Sequence, residues 1–334
     1  HIPTAWVEPI QNRVDEVWVP SFYVKQCYID SGIDADRVQV VPNGVDCERF
    51  SPDVVPIPLD TDKTFKFLFV GGTIYRKGID VLLDAYSQAF SSDDDVCLVV
   101  QGMGDDTFYK GQAAGDLIRE IQGDPKAPEI LYLTDELSDS EIAGLYTACD
   151  CLVHPYRGEG FGMPVSEAMA CDLPVIVTRG GATDDFCVEE TAYFVDADRR
   201  DVAFNEETAG QTWLFEPQAD SLVTQMNHVI ANPEEAAKKG KLGGDHVREN
   251  LTWKQASDRA VERLETICAK PIRRTISLSG FGSFGATMAV DCAVDCLVLN
   301  SGSVDRDLAT YNLERYTSAQ LVERKVDLLG SELT

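Results

Sequence analysis

From Phe65 onward, short apolar runs alternate with stripes of helical period. The runs at 67–70, 96–100, 130–133, 151–153, 175–177 and 192–195 are mostly continuous in apolar residues and end at polar, Gly or Pro positions. Strands covered on both faces read this way, because neither face meets water. Between the runs, Ile79, Leu82, Leu83, Tyr86 and Phe90 recur at i, i+3, i+4, i+7 and i+11. Ile142, Leu145 and Tyr146 form a second stripe, opened by Ser138 with Glu141 three residues on, a capping-box pattern. Helices are also expected at 217–231, 233–250 and 253–268, with Pro271 ending the series. This alternation predicts an α/β fold: a Rossmann-like parallel sheet with helices on both faces.

The first residues differ. A strand at 17–20, a helix at 23–31 and a strand at 38–41 lead into the turn cluster Pro42-Asn43-Gly44-Val45-Asp46. Two strands in 46 residues cannot bury a core alone. They are expected to pack as a partial layer beside the following sheet, with Trp6, Val17 and Trp18 under-buried. The chain opens at His1 in mid-pattern, without a basic-then-apolar leader, which predicts a fragment of a longer protein. Past Pro271, a Gly/Ser-rich stretch at 276–287 precedes an apolar run at 288–299 and a polar, helix-like segment at 309–329, with no motif among them.

Charge narrows the choice of partners. The 334 residues carry a net charge of −27. Such a field repels nucleic acid and anionic headgroups, so a nucleic-acid partner is not expected and peripheral membrane contact has no support. A site for an anionic ligand must supply its own local cations. No apolar run reaches the ~18 residues of a membrane helix. The ten cysteines show no metal-ligand spacing: Cys292 and Cys296 lack a second pair, and the chain has only four histidines. Reduced, mostly buried thiols of a cytoplasmic protein, and no metal site, are the expectation.

The richest stretch is Gly158-Glu159-Gly160-Phe161-Gly162-Met163-Pro164-Val165-Ser166-Glu167-Ala168-Met169-Ala170, directly after the strand at 151–153. A glycine loop between a parallel strand and a helix lets backbone approach a phosphate, and the first N–H groups of the helix point at it. Pro164 suits the first turn. Glu167, within that helix, can accept paired hydroxyl hydrogen bonds from a ribose or hexose. Taken singly these features are common, since Glu near a helix start also suits the dipole. Their combination is specific.

That segment resembles the E-x7-E motif of retaining family 4, or group 1, glycosyltransferases of GT-B fold. Val41-Pro42-Asn43-Gly44-Val45-Asp46 resembles the family's interdomain turn, and Phe69-Val70-Gly71-Gly72-Thr73-Ile74-Tyr75-Arg76-Lys77-Gly78 its first donor-domain strand, loop and helix. The segments 98–104, 137–146, Ala148-Cys149-Asp150 and Pro174-Val175-Ile176-Val177 fall in place, so the resemblance runs from about Asp15 to Cys268. It implies a hexosyl transfer from a nucleoside-diphosphate sugar, UDP- or GDP-linked, to a carbohydrate, lipid-linked or small-molecule acceptor hydroxyl, with retention and without a cofactor. It implies that Glu159 lies nearest the chemistry and Glu167 holds the ribose. The Gly160 loop, through backbone N–H groups of Phe161, Gly162 and Met163, would meet the sugar and distal phosphate. Gly71 and Gly72 would line the first loop. Lys77, at the start of the first helix, would neutralise the diphosphate.

Two departures stand out. The family usually has Arg after the first glycine, where this chain has Gly72. Arg76 is the candidate replacement, although neighbouring helix-start side chains diverge. His154 and Arg157, just ahead of the motif, are further candidates for donor contact, with packing at the strand end as the alternative for His154. The second departure is that the amino-terminal acceptor domain is largely missing. Residues 1–60 read as its remnant with the linker, 61–270 as the nucleotide-sugar domain, and 271–334 as an extension. A non-catalytic sugar-nucleotide-binding remnant is the rival reading, with a GT-B-fold epimerase or phosphorylase behind it. No Gly-x-Gly-x-x-Gly follows the first strand, which disfavours a dehydrogenase.

Overall fold

The computed structural model describes residues 1–102 and 114–270, together with two short strands at 275–276 and 288–289. The amino-terminal segment forms helix α1 (Thr4–Arg13), strand β1 (Val17–Val19), helix α2 (Phe22–Asp30) and strand β2 (Val38–Val40). The two strands pair in parallel, Val17 opposite Val38. Their core is small, built on Ile2, Val19, Ile33 and Val38. Trp6 is 53% exposed, Trp18 36% and Phe22 65%, while Val17 is half-buried. A segment this short has too few apolar residues to cover both faces of its strands.

The main sheet follows. β3 (Phe65–Val70), α3 (Ile79–Ala89), β4 (Val96–Gln101), α4 (Gly115–Gln122), β5 (Glu129–Leu133), α5 (Asp139–Thr147), β6 (Cys151–His154), α6 (Met163–Ala170), β7 (Val175–Thr178) and β8 (Tyr193–Val195) alternate as the pattern predicts. The six strands run in the order β5-β4-β3-β6-β7-β8, all parallel. Side chains alternate across β3: Phe67 and Phe69 pack with the α3 face, while Leu68 packs with α5 and α6 on the other. The Ser138 capping box is formed as expected.

A hairpin of β9 (Ala197–Asp201) and β10 (Trp213–Pro217) comes next, followed by α7 (Ala219–Ala231), α8 (Pro233–Asn250) and α9 (Trp253–Cys268). The sequence pattern does not reveal α1, α4 or the hairpin. α1 contains Pro9 and buries no residue, so it carries no apolar stripe. β9 reads Ala-Asp-Arg-Arg-Asp and is largely exposed. Pro217, expected to open a helix, closes β10 instead. The chain divides into two units, His1–Val261 and Glu262–Thr334. In the second, β11 (Thr275–Ile276) and β12 (Met288–Ala289) pair antiparallel. The expectations for 277–287 and for 290–329 lie outside the described residues.

The strand order fixes where a ligand can sit. From β3 the chain moves outward through β4 to β5, then returns to place β6 on the other side of β3. The loops leaving β3 and β6 therefore diverge to opposite faces and open a crevice at their carboxyl ends. Gly78 locks the two loops together. Its φ is +73°, and a Cβ there would overlap the carbonyl oxygen of Pro155. Gly78→Ala is expected to cost more than about 1 kcal/mol of stability. Gly160→Ala, where a Cβ would meet only Pro20 Cγ at 3.9 Å, is expected to change it by less than about 0.5 kcal/mol. Urea unfolding of both variants checks this; equal midpoints would contradict it.

Candidate donor site

The first loop leaves β3 through Gly71 and the buried Gly72, then closes as a 3-10 turn at Tyr75–Lys77 before Gly78 caps α3. Lys77 thus lies in this turn, ahead of the helix in which it was expected. The second loop leaves β6 and runs through Glu159 and Gly160 to Gly162, which caps α6 with φ +97°. A Cβ on Gly162 would stand 2.7 Å from Thr183 Cγ2. Pro164 occupies the first turn of α6. Phe161 is buried against Phe186, ring centroids 5.1 Å apart, and anchors the loop. The N–H groups at Gly162 and Met163 precede the first i→i−4 bond of the helix, so the turn presents donors at the crevice.

The two loops meet at Glu159. Its carboxylate is 9% exposed and takes an ion pair from the Lys77 ammonium. Arg76 Nη1 stands 3.5 Å from the same oxygen, Oε1, and His154 Nε2 stands 3.3 Å from it. Burial pushes this carboxyl up, but His154 and Lys77 together outweigh burial and hold it at about 2. Arg76 also donates to the Gly158 carbonyl at 2.6 Å. The expected divergence of Arg76 and Lys77 therefore does not occur. The turn that carries them is 3-10 rather than α-helical, and both long side chains reach one oxygen.

Glu167 sits one helix turn deeper, within α6. It accepts from Tyr146 Oη at 2.9 Å. Tyr146 belongs to α5, is fully buried, and has Phe50 edge-on at 5.8 Å. Burial raises the Glu167 carboxyl to about 7, against the smaller lowering influences of Tyr146 and Arg49.

Arg157 plays a different part from the donor contact considered for it. Its guanidinium is 3% exposed and grips Asp80 with two bonds, at 2.6 and 2.8 Å. It also donates to Glu216 on β10, at 2.6 and 3.0 Å, and lies 3.7 Å over the Tyr75 ring. This clamp ties the second loop to α3 and to the hairpin. Sequence reading missed it because Asp80 and Glu216 lie far away in the chain. It also missed Ser21, whose hydroxyl donates to the Gly160 carbonyl at 2.7 Å. Asp185 accepts from Phe22 N at 2.8 Å, so the start of α2 is docked beside the glycine loop. His154 has no exposed surface and meets the site through Glu159.

Among the described residues, no group of three His, Cys, Asp or Glu side chains has the geometry to hold a metal ion. Every described cysteine is free, and no described helix is long and apolar enough to cross a membrane.

The six-stranded parallel sheet, with a glycine loop and a cation pair at its crevice, has the α/β fold of GT-B glycosyltransferases. HepE of Anabaena, solved in complex with UDP-glucose, shares this fold at a TM-score of 0.60 and 18% identity, over 78% of this chain and 66% of that one. The family profile of glycosyl transferases group 1 matches residues 64–232, and the chain belongs to that family. An uncharacterized glycosyltransferase of Methanocaldococcus jannaschii is 30% identical over 176 residues, 52% of this chain and 43% of its own length. D-inositol 3-phosphate glycosyltransferase of Rhodococcus opacus is 28% identical over 244 residues, 71% of this chain and 50% of its own. The chain thus spans about half the length of these curated relatives.

The Glu167 environment has a measurable consequence. Its folded value of about 7 lies above the ordinary 4.5, so the native state binds the extra proton between these limits. Stability is then lost as pH rises through that window. Glu167→Gln keeps an acceptor for Tyr146 and removes the charge. It is expected to match the parent near pH 4.5 and to exceed it by at most about 3 kcal/mol at pH 8. Urea titrations at the two pH values test this, and a difference that does not change with pH would refute it.

Proposed function

We propose that the chain carries the donor site of a retaining hexosyltransferase of family 4 type, moving a sugar from a UDP- or GDP-linked donor to an acceptor hydroxyl. The observation that carries this reading is the convergence of Lys77 and Arg76 on Glu159 between two glycine loops. A departing nucleoside diphosphate develops negative charge, and aimed cations with helix-start N–H groups stabilise it. Lys77 and Arg76 take the diphosphate, with Arg76 standing in for the cation that Gly72 lacks. Backbone at Gly71, Gly72 and Gly160 allows close approach, and the N–H groups of Phe161, Gly162 and Met163 meet the sugar and distal phosphate. Glu159 faces the transferred sugar. Glu167, held by Tyr146, accepts from the ribose hydroxyls. With two cations as counter-charge, the reading includes no cofactor or metal.

The uridine nucleotide named with HepE supports a UDP donor, and the inositol phosphate acceptor named with the Rhodococcus relative supports a polyhydroxylated acceptor. The acceptor class remains carbohydrate, lipid-linked or small-molecule, and the setting proposed is the cytoplasm. Gly72 and the short span also support the second reading, a donor-binding remnant without turnover.

Calorimetry with UDP, GDP and ADP tests the donor site directly, and at least one is expected to bind. Glu167→Ala is expected to weaken that binding by about 1–3 kcal/mol, about 5- to 150-fold. Glu159→Ala removes the anion that competes with the diphosphate for Lys77 and Arg76, so nucleotide affinity is expected to be at least the parent's while nucleotide release from the sugar nucleotide falls by at least about tenfold. A folded protein that binds none of the three refutes the site. One that binds but releases nothing from any sugar nucleotide matches the second reading.

A further inference from the structure

Three donors share one oxygen of Glu159, and they differ in how free they are to leave it. Arg76 is 43% exposed, and Lys77 stands on a flexible stem above a 3-10 turn. Both carry permanent charge, so an incoming diphosphate competes with Glu159 for both. His154 cannot follow them. It ends β6, has no exposed surface, and is held by rings on two sides. Phe69 of β3 stacks on it at 5.8 Å and 29°, and Tyr156 lies 5.8 Å away.

The hydrogen bond itself fixes the state of the ring. An ionised carboxylate only accepts, so the ring nitrogen facing it must carry the proton. That nitrogen is Nε2, 3.3 Å from Glu159 Oε1. Nδ1 is buried and, among the described residues, has no hydrogen-bond partner. A proton there would leave a charged ring with an unpaired N–H in the interior, which costs more than an idle lone pair. Burial likewise holds the imidazole below its ordinary value, with Glu159 acting against it. The ring is therefore a neutral Nε2–H donor of fixed direction.

We propose that His154 is a positioning residue: it keeps the Glu159 carboxylate aimed when the donor's diphosphate draws Lys77 and Arg76 away. This rests on the donor-site reading above. It assigns His154 no contact with the nucleotide, because the residue offers no surface to one. It also gives the bare Nδ1 a reason, since a partner there could pull the proton off Nε2 and break the bond to Glu159.

The test compares His154→Gln, His154→Asn and His154→Leu. A Gln amide reaches the place of Nε2, whereas an Asn amide reaches only that of Nδ1. The full chain is assayed for UDP affinity by calorimetry and for UDP release from UDP-glucose, with thermal unfolding as the control for folding. His154→Gln is expected to keep the turnover rate within about threefold, while Asn and Leu lower it by at least about tenfold, the worth of one hydrogen bond to a charge. KM and UDP affinity should stay within about twofold in all three. Separately, nitrogen-15 histidine spectra of the parent, simplified by a total of four histidines, should show His154 as the neutral Nε2–H tautomer with and without UDP.

Full turnover in the Leu variant would overturn the proposal, as would a Gln variant as slow as Leu. A rise in UDP dissociation constant matching the loss of rate would also overturn it, by making His154 a nucleotide contact. So would a Nδ1–H or doubly protonated ring, or the unfolding of all three variants, which would leave His154 a core residue only. If the parent neither binds UDP nor releases it, the donor-site reading fails on its own, and the tautomer still decides whether His154 holds Glu159.

Discussion

A carboxylate held in its charged form out of water is the constraint on which the rest of the structure depends. Glu159 is 9% exposed yet is held at about 2. Taking such a charge from water costs several kcal/mol unless partners surround it. The partners come from both halves of the sheet: Lys77 and Arg76 from the loop after β3, and His154 from the end of β6. They can meet because β3 and β6 are neighbours although about eighty residues separate them, with β4 and β5 displaced to the far side. The topology thus brings the ion cluster together, and Gly78 allows the loops to touch.

The surroundings limit how far the loops can part. Arg157 is bonded to Asp80 at the start of α3 and to Glu216 on the hairpin, and its backbone N–H donates to the Arg76 carbonyl at 2.8 Å. Removing both carboxylates of this clamp would strand the buried Arg157 charge. From the other side, Ser21 bonds the Gly160 carbonyl. The hairpin also reaches the first residues of the chain, where Thr4 N donates to the Glu207 carbonyl and Ala209 N to that of Ile2. The amino-terminal segment, with its small core and exposed Trp6 and Phe22, is therefore joined to the glycine loop and the hairpin by these hydrogen bonds and by the Tyr23 ring against Trp213 and Phe215.

What the sequence discloses follows from how local each cause is. The six main strands were legible because a strand buried on both faces has to be apolar throughout, and its neighbours in the chain show where it stops. The Ser138 cap was legible because its partners are three residues apart. Glu159, the glycine loop and Glu167 stood out because they lie within nine consecutive residues that follow a strand and run into a helix. The Arg157 clamp was not legible, since its carboxylates lie 77 residues before it and 59 after it. Nor was the hairpin, whose strand β9 is polar on both faces. The convergence of Arg76 with Lys77 was hidden for a subtler reason: it depends on the turn being 3-10, a difference of one hydrogen-bond step that Gly78 decides through its left-handed φ.

The ion cluster also bears on how so acidic a chain can receive an anion. A net charge of −27 opposes the approach of a diphosphate. Two bare cations in the crevice would attract it, but unpaired they would be costly to hold where Lys77 is largely buried. On the donor-site reading proposed above, Glu159 resolves the conflict by pairing them until a stronger anion arrives. The exchange replaces one carboxylate with a diphosphate on the same two side chains, so the cations need little further desolvation at that moment. On the same reading, what the exchange would free is Glu159, a carboxylate still held by the buried ring of His154, so the step that admits the nucleotide would also release the residue proposed to face the sugar.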